Sequence, residues 1–336
     1  MSMHVSSRTQ WMVPAIWVML SAACAPAESK GEQGTGGASA AGGASAAGGA
    51  TMAGGATMAG GATVAGGATM PATAQALPTP SPFKKVAFRV PNESEVADTV
   101  VLASVRRGRA LLNHTRDSLP AHVGNALVCT NCHQQHGTLK NGMGWVGVYA
   151  RFPQYRSRAG ATQLIEDRVN DCFKRSLNGT PLVPESRDMR DIVAYMAFLS
   201  TGYPVGAETD GQGLPKMEPL AGDTLRGYAV FVARCARCHG AEGLGKPVAP
   251  PVWGPRSYNI GAGMARVRTA ASFIKHWMPQ DSAGVLSAQD AFDVATFIDS
   301  KPRPDFKGKE RDWPHGDPPP DVAYATQAGR RKVGAK

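Results

Sequence analysis

The sequence predicts a mostly α-helical protein: two small tandem domains behind a non-globular N-terminal arm. Three observations predict it. Amphipathic runs at helical spacing recur in two similar blocks. A C-x-x-C-H motif sits in each block, as CTNCH at Cys129–His133 and CARCH at Cys235–His239. From Gly36 a six-residue glycine–alanine unit repeats: GGASAA twice, GGATMA twice, GGATVA, GGATMP. Composition agrees, since 39 glycines against 7% aromatics point to a part that builds no core. Of the 336 residues, the first eighty hold two basic and two acidic side chains, so the whole formal charge of +10 falls in residues 81–336. No apolar run approaches the ~20 residues of a spanning helix, which excludes a polytopic membrane protein. The glycine period of six excludes a collagen triple helix. No nucleic-acid partner is read from the charge.

The N-terminal arm is an address followed by a spacer. Arg8 precedes the apolar stretch WMVPAIWVMLSAA, 13 residues long, which is short for a membrane span and right for the core of a secretory signal. Ser21, Ala22 and Ala23 then lead into Cys24. This looks like a bacterial lipoprotein signal, with Cys24 the acylated residue, although Leu20 stands four rather than three positions before it. An ordinary cleaved signal with an incidental cysteine is the alternative. The expectation is an exported protein, lipid-anchored on the periplasmic side of a bacterial membrane. The repeats offer no charge and no large side chain from which to build a core. A glycine-rich coil of this length reaches roughly 30–35 Å end to end, which suits a tether. The expected boundaries are a signal at 1–24, tether at 25–82, first domain at 83–204, linker at 205–219 and second domain with a C-terminal extension at 220–336.

The two C-x-x-C-H motifs carry the chemistry. Two thiols three positions apart on a helical turn reach the two vinyl groups on one edge of a heme, and the adjoining histidine binds iron beneath the ring. Zinc sites and redox dithiols are the competing readings; the first wants four ligands from paired clusters, the second needs no histidine there. Two covalently attached hemes c are therefore expected, held by Cys129 and Cys132 and by Cys235 and Cys238, with His133 and His239 as iron ligands. The motifs start 106 residues apart, each within about 100 residues of chain, the size of one small domain. In the second domain Leu225, Tyr228, Phe231 and Val232 form a stripe leading into the motif, and Ala291, Phe292, Ala295 and Ile298 mark a closing helix over 288–300. A closing helix over 188–200 ends the first domain. First helix, heme motif, loop, last helix is the order of class I cytochromes c, so the expected fold is two tandem domains of that kind.

In that order the sixth iron ligand comes from the chain before the last helix. In the second domain Met278, followed by Pro279, lies 39 residues after His239 and is the candidate. Met264 and His276 are the rivals. The first domain has no Met-Pro there; Met143, Met189 and Met196 stand elsewhere. Cys172 also lies 39 residues after its heme histidine. It takes the place that methionine holds in the second domain, with His114 and His122 as rivals and His136 held to the proximal side. Thiolate favours ferric iron and a low potential, whereas methionine raises it, so the pair would run downhill from the first heme to the second.

At these residues the sequence resembles the diheme thiosulfate dehydrogenases, tetrathionate-forming c-type cytochromes. The matching stretches are LNHTRDSLPAHVGNALVCTNCH, GWVGVYARFPQYRSR and EDRVNDCFKRSLNG in the first half. In the second they are WGPRSYNIGAGMARV, FIKHWMP and DWPHGDPPPDVAY. The resemblance implies a catalytic heme ligated by His133 and Cys172, with Arg168, Ser176 and Arg158 around it; Arg156 and Arg151 are neighbours that fit the last position. Where the family exchanges methionine with an adjacent lysine at the second heme, this chain has Trp277 before Met278 and Lys275 three positions before it. The implied activity is oxidation of two thiosulfates to tetrathionate, with electrons leaving to a cytochrome or similar redox protein. The alternative is a membrane-tethered diheme electron shuttle without a substrate of its own.

Overall fold

Aspartate and serine caps set where the long helices begin. In this computed structural model, which describes residues 85–329, helix α1 (Thr99–Asn113) starts at Asp98, whose carboxylate accepts from the amides of Val100 and Val101. The short α2 (Thr115–Ser118) and α3 (Gln134–Gly137) flank the first heme motif. Helices α4 (Ile165–Arg175) and α5 (Arg187–Phe198) follow, the latter capped by Ser186. In the second half α6 (Thr224–Val230) is capped by Asp223, α7 (Ala236–His239) carries the motif, and α8 (Val267–Trp277) precedes α9 (Ala288–Asp299), capped by Ser287. The expected signal segment with Cys24, the repeat tether and residues 330–336 lie outside the described residues.

The same crossing is built twice. α1 packs on α5 and α6 on α9. A Cβ at Gly108 would lie 1.9 Å from the carbonyl oxygen of Asp191, and one at Gly227 would lie 2.1 Å from that of Asp293. Only glycine lets the helices approach so closely. The preceding arginines pin the crossings. Arg107 reaches the Asp191 carboxylate at 2.6 Å, and Arg226 grips Asp293 at 2.7 and 3.0 Å. Around the first crossing pack Leu112, Phe173, Ile192, Tyr195 and Leu199; around the second pack Phe231, Phe292, Val294 and Phe297.

The predicted closing stripe on α9 is buried in full, Ala291, Phe292, Ala295 and Ile298 all facing the core. The stripe expected on α6 is not. Phe231 is fully buried, but Leu225 is 81% exposed and Tyr228 and Val232 are also exposed. Gly227 is the face that meets α9. The backbone then widens into a π turn over Phe231–Cys235, which shifts the phase of the side chains entering the motif.

The segment expected as a linker is laid against the first half. Its strand β4 (Glu208–Thr209) pairs in parallel with β1 (Lys85–Val86). The carbonyls of Gly211 and Gly213 accept from the amides of Asn141 and Met143. A two-stranded antiparallel ribbon, β2 (Gln154–Arg156) with β3 (Ala161–Gln163), leads into α4. From the second half, residues 256–262 reach across. Asn259, 1% exposed, donates to the Lys174 carbonyl at 2.8 Å, and Asn125 donates to the Ser257 carbonyl at 3.1 Å. The two halves thus meet over the C-terminal end of α4.

Candidate functional site

The first site forms between the heme motif and α4. Cys129 opens a 3-10 turn, Cys132 closes it and His133 follows. The imidazole Nδ1–H of His133 donates to the Met143 carbonyl at 2.5 Å. That bond fixes the tautomer and leaves Nε2 free for a metal. The loop that supplies the carbonyl is tightly bent, with Asn141 and Met143 at φ of 62° and 55°.

On α4, Ile165, Val169 and Phe173 turn into the core. The residues one step round the helix, Arg168, Cys172 and Ser176, are spaced by four and share the adjacent face. They line one cavity with His133 and Cys132, with a volume of about 400 Å³. Arg168 donates to the Cys172 sulfur at 3.2 Å. Burial pushes the Cys172 thiol up, and the charge of Arg168 together with the hydrogen bond and charge of His133 more than offsets it, so that the thiol falls to about 7. Burial drives Cys129 and Cys132 the other way, to about 12.

Four further arginines ring the cavity: Arg156, Arg158, Arg175 and Arg266. Arg158 donates to the Gly261 carbonyl at 2.8 Å and stacks 4.5 Å above Trp313. Its pKa is lowered to about 10, by burial first and then by Arg175. Arg175 holds Asp312 through two bonds of 2.8 Å. Tyr324 donates to the same carboxylate at 2.5 Å. Trp313 and Pro319 also line this cavity. The C-terminal extension, expected to belong to the second domain, therefore walls the first site. Arg156, weighed only as a neighbour in the sequence, lines the cavity alongside Arg158. Arg175, Arg266, Asp312 and Trp313 were missed. Their one sequence signal is that they stand inside the stretches that carry the resemblance.

The second site repeats the plan. His239 donates from Nδ1 to the Pro250 carbonyl at 2.7 Å. Met278 caps the C-terminus of α8. His239, Cys235, Cys238 and Met278 line a cavity of about 360 Å³ with Phe231 and Ile274. Met264 lines both cavities. Of the other candidates, His276 bonds its own helix at Ser272, His122 bonds the carbonyls of Thr180 and Pro181, and His136 bonds Asn113. Met189 is sealed in the first core at 0% exposure. Lys275 is engaged by the Gly284 carbonyl, and the Trp277 indole donates to the Asn141 carbonyl at 3.0 Å.

Both cavities suit a heme. The second has both motif cysteines, the Nδ1-anchored His239 and the Met278 sulfur on its lining. The first has Cys132, the Nδ1-anchored His133 and the Cys172 sulfur, and these three meet Cys129, Leu112, Trp145 and Phe173 on an adjoining pocket. Among the described residues no group of three or more His, Cys, Asp or Glu is placed to hold a metal ion alone, as a zinc site would require.

Comparison with known proteins agrees with this plan. Residues 121–205 match the family described as SoxA/TsdA, cytochrome c domain, and residues 222–298 match that of cytochrome c oxidase, cbb3-type, subunit III. The thiosulfate dehydrogenase of Psychrobacter arcticus is 42% identical over 260 residues, covering 75% of this chain and 79% of its own. The chain belongs to the thiosulfate dehydrogenase family. Another family member, from Allochromatium vinosum, is 44% identical over 236 residues, covering 66% of this chain and 86% of its own. Among solved structures, the thiosulfate dehydrogenase TsdBA of Marichromatium purpuratum in its as-isolated form aligns with a TM-score of 0.63 at 34% identity. The alignment covers 66% of this chain and 51% of that one, so the chain spans about half of that structure's length. The family places two cytochrome c domains in tandem here and makes the chain a redox enzyme.

Proposed function

We propose that this diheme cytochrome oxidises thiosulfate at the first site, joining two molecules into tetrathionate. In this reading His133 and Cys172 ligate the first heme and His239 and Met278 the second, each heme attached through the cysteines of its motif. The observation that carries it is the Arg168–Cys172–Ser176 stripe sharing an arginine-ringed cavity with His133. When bound, the hemes supply two one-electron acceptors for the two electrons released as the sulfur–sulfur bond forms, and pass them to an external cytochrome or similar redox protein.

The chain's own residues address the charge problem. Two thiosulfate dianions about 4 Å apart repel by roughly 4 kcal/mol even at the dielectric of water, and by more in a cavity. Guanidinium groups aimed into the cavity offset that repulsion before the bond forms. Arg168 serves the Cys172 end, Arg158, held by the Gly261 carbonyl and Trp313, adds its charge to the cavity wall, and Ser176 offers a hydroxyl. No proton is taken up or released, so the site needs no general base. Tetrathionate reduction is the same reaction reversed. A lipid on Cys24 and the repeat tether would hold the enzyme on the periplasmic face of a bacterial membrane, within reach of its redox partner.

The test is turnover of the purified holoprotein with thiosulfate and ferricyanide, with tetrathionate as the measured product. Cys172→Gly is expected to abolish turnover and to remove a thiolate-ligated low-spin signal from the paramagnetic resonance spectrum. A wild-type protein that neither oxidises thiosulfate nor reduces tetrathionate with a strong donor would refute the proposal. Two spectra of ordinary histidine–methionine type would favour a simple electron shuttle.

A further inference from the structure

We propose that Arg266, supplied by the second domain, binds the second thiosulfate dianion in the cavity of the first. The inference rests on the proposed reaction, which brings two dianions into one site.

Arg266 stands at the N-cap of α8, directly after the 3-10 turn Gly263–Ala265. It lines the same cavity as Cys172 and Arg168, with Thr269 one helical turn further on. The other arginines of the ring are already engaged. Arg175 is neutralised by Asp312, Arg158 is spent on the Gly261 carbonyl and lies 4.0 Å from Asp312, Arg156 donates to Gln154, and Arg168 holds the Cys172 sulfur. Arg266 differs in having no side-chain partner at all. Its Nε, like that of Arg175, is buried without a hydrogen-bond partner, but its guanidinium, unlike that of Arg175, makes no other hydrogen bond and no ion pair among the described residues. A buried donor without an acceptor is destabilising, so a ligand that brings the acceptor recovers that loss on binding. A planar fork of N–H donors matches the oxygens of an oxyanion.

The backbone before it is held firmly. Asn259 is tied to the Lys174 carbonyl and to Asn178, and its own amide donates to the Arg175 carbonyl, so residues 256–262 are fastened to the end of α4. The second domain thus delivers a fixed cation to the first domain's cavity. One dianion then sits beside Arg168 and Cys172 and the other beside Arg266. The proposed reaction removes one electron from each, with ferricyanide as the final acceptor in the assay, and joins their terminal sulfurs without any proton transfer; bound hemes would supply the one-electron acceptors.

A carboxylate is the other anion Arg266 could bind, and heme propionates supply two. The experiment separates the two sources. In heme-loaded Arg266→Gln, KM for thiosulfate is expected to rise by roughly tenfold to a hundredfold, the loss typical of a hydrogen bond to a charged group. Heme content and both midpoint potentials are expected to stay at wild-type values. Arg266→Lys should recover part of the affinity, and it replaces the glutamine variant if that protein does not assemble. Arg268→Gln removes the same charge from an exposed neighbour and should keep the wild-type KM. An unchanged KM in Arg266→Gln overturns the inference, as does a potential shift or heme loss with KM unaltered, which would assign the residue to a propionate. Absence of thiosulfate turnover in the wild type overturns the proposed function and this inference together. Wild-type turnover with an unaltered variant overturns this inference alone.

Discussion

Replacing Asp312 by asparagine tests whether the C-terminal extension is part of the first site. Asp312 and Arg175 lie 137 positions apart in the chain and meet through two bonds of 2.8 Å. The pair is almost sealed, with side chains 7% and 11% exposed. Tyr324 donates to the same carboxylate, and Arg158 stands at 4.0 Å. Asparagine keeps the shape and removes the charge, leaving the Arg175 guanidinium buried without its counter-ion. Breaking a buried pair on one side costs about 3–5 kcal/mol. For a folded body of this size each kcal/mol lowers the melting temperature by roughly 2–4 °C. The expected drop is therefore about 6–20 °C, read by thermal unfolding of the holoprotein. Limited proteolysis should open the chain between residues 302 and 329 in the variant first. Removing both partners, as Asp312→Asn with Arg175→Met, should be milder than the single change, because no orphan charge remains. A melting temperature within about 2 °C of wild type, with the extension equally protected, would show that the extension is held by something other than this pair.

Three further outcomes are expected. Gly227→Ala should destabilise the second domain by about 1–3 kcal/mol in denaturant titration, since its Cβ would meet the Asp293 carbonyl at 2.1 Å and the helices would have to part. Gly263→Ala, with nothing within 4 Å of the added carbon, should be close to neutral. Cys24→Ser should release the protein from the membrane fraction; an unaltered partition would refute a lipid on that residue.

How far the site could be read in advance follows from the distance between its parts. The C-x-x-C-H motifs are contiguous, because a heme held through them would have its two vinyl groups and its iron met by a single turn of chain. Arg168 and Ser176 stand four before and four after Cys172, so helical periodicity alone puts all three on one face. The caps at Asp98, Ser186, Asp223 and Ser287 are local as well. The stripe on α6 misled because two nonlocal facts overrode its spacing: the face of Gly227, where a Cβ would clash with the Asp293 carbonyl, is the one that meets α9, and the π turn resets the phase before Cys235.

By itself the sequence determined two helical cytochrome c domains, the pairing of each motif histidine with a later sulfur candidate, and the stripe of Arg168, Cys172 and Ser176. Each is a matter of spacing along one segment, where backbone geometry converts residue number directly into direction. Only the tertiary structure decided that the wall of the first cavity is completed by Arg266 from the second domain and by Trp313 and Pro319 from the extension, with Asp312 behind them holding Arg175. It likewise decided that the presumed linker lies as a strand against the first half. No period connects those residues to Cys172. They converge because residues 256–262 and the C-terminal extension pack against the end of α4, and such convergence is set by the close packing of distant segments rather than by any local pattern.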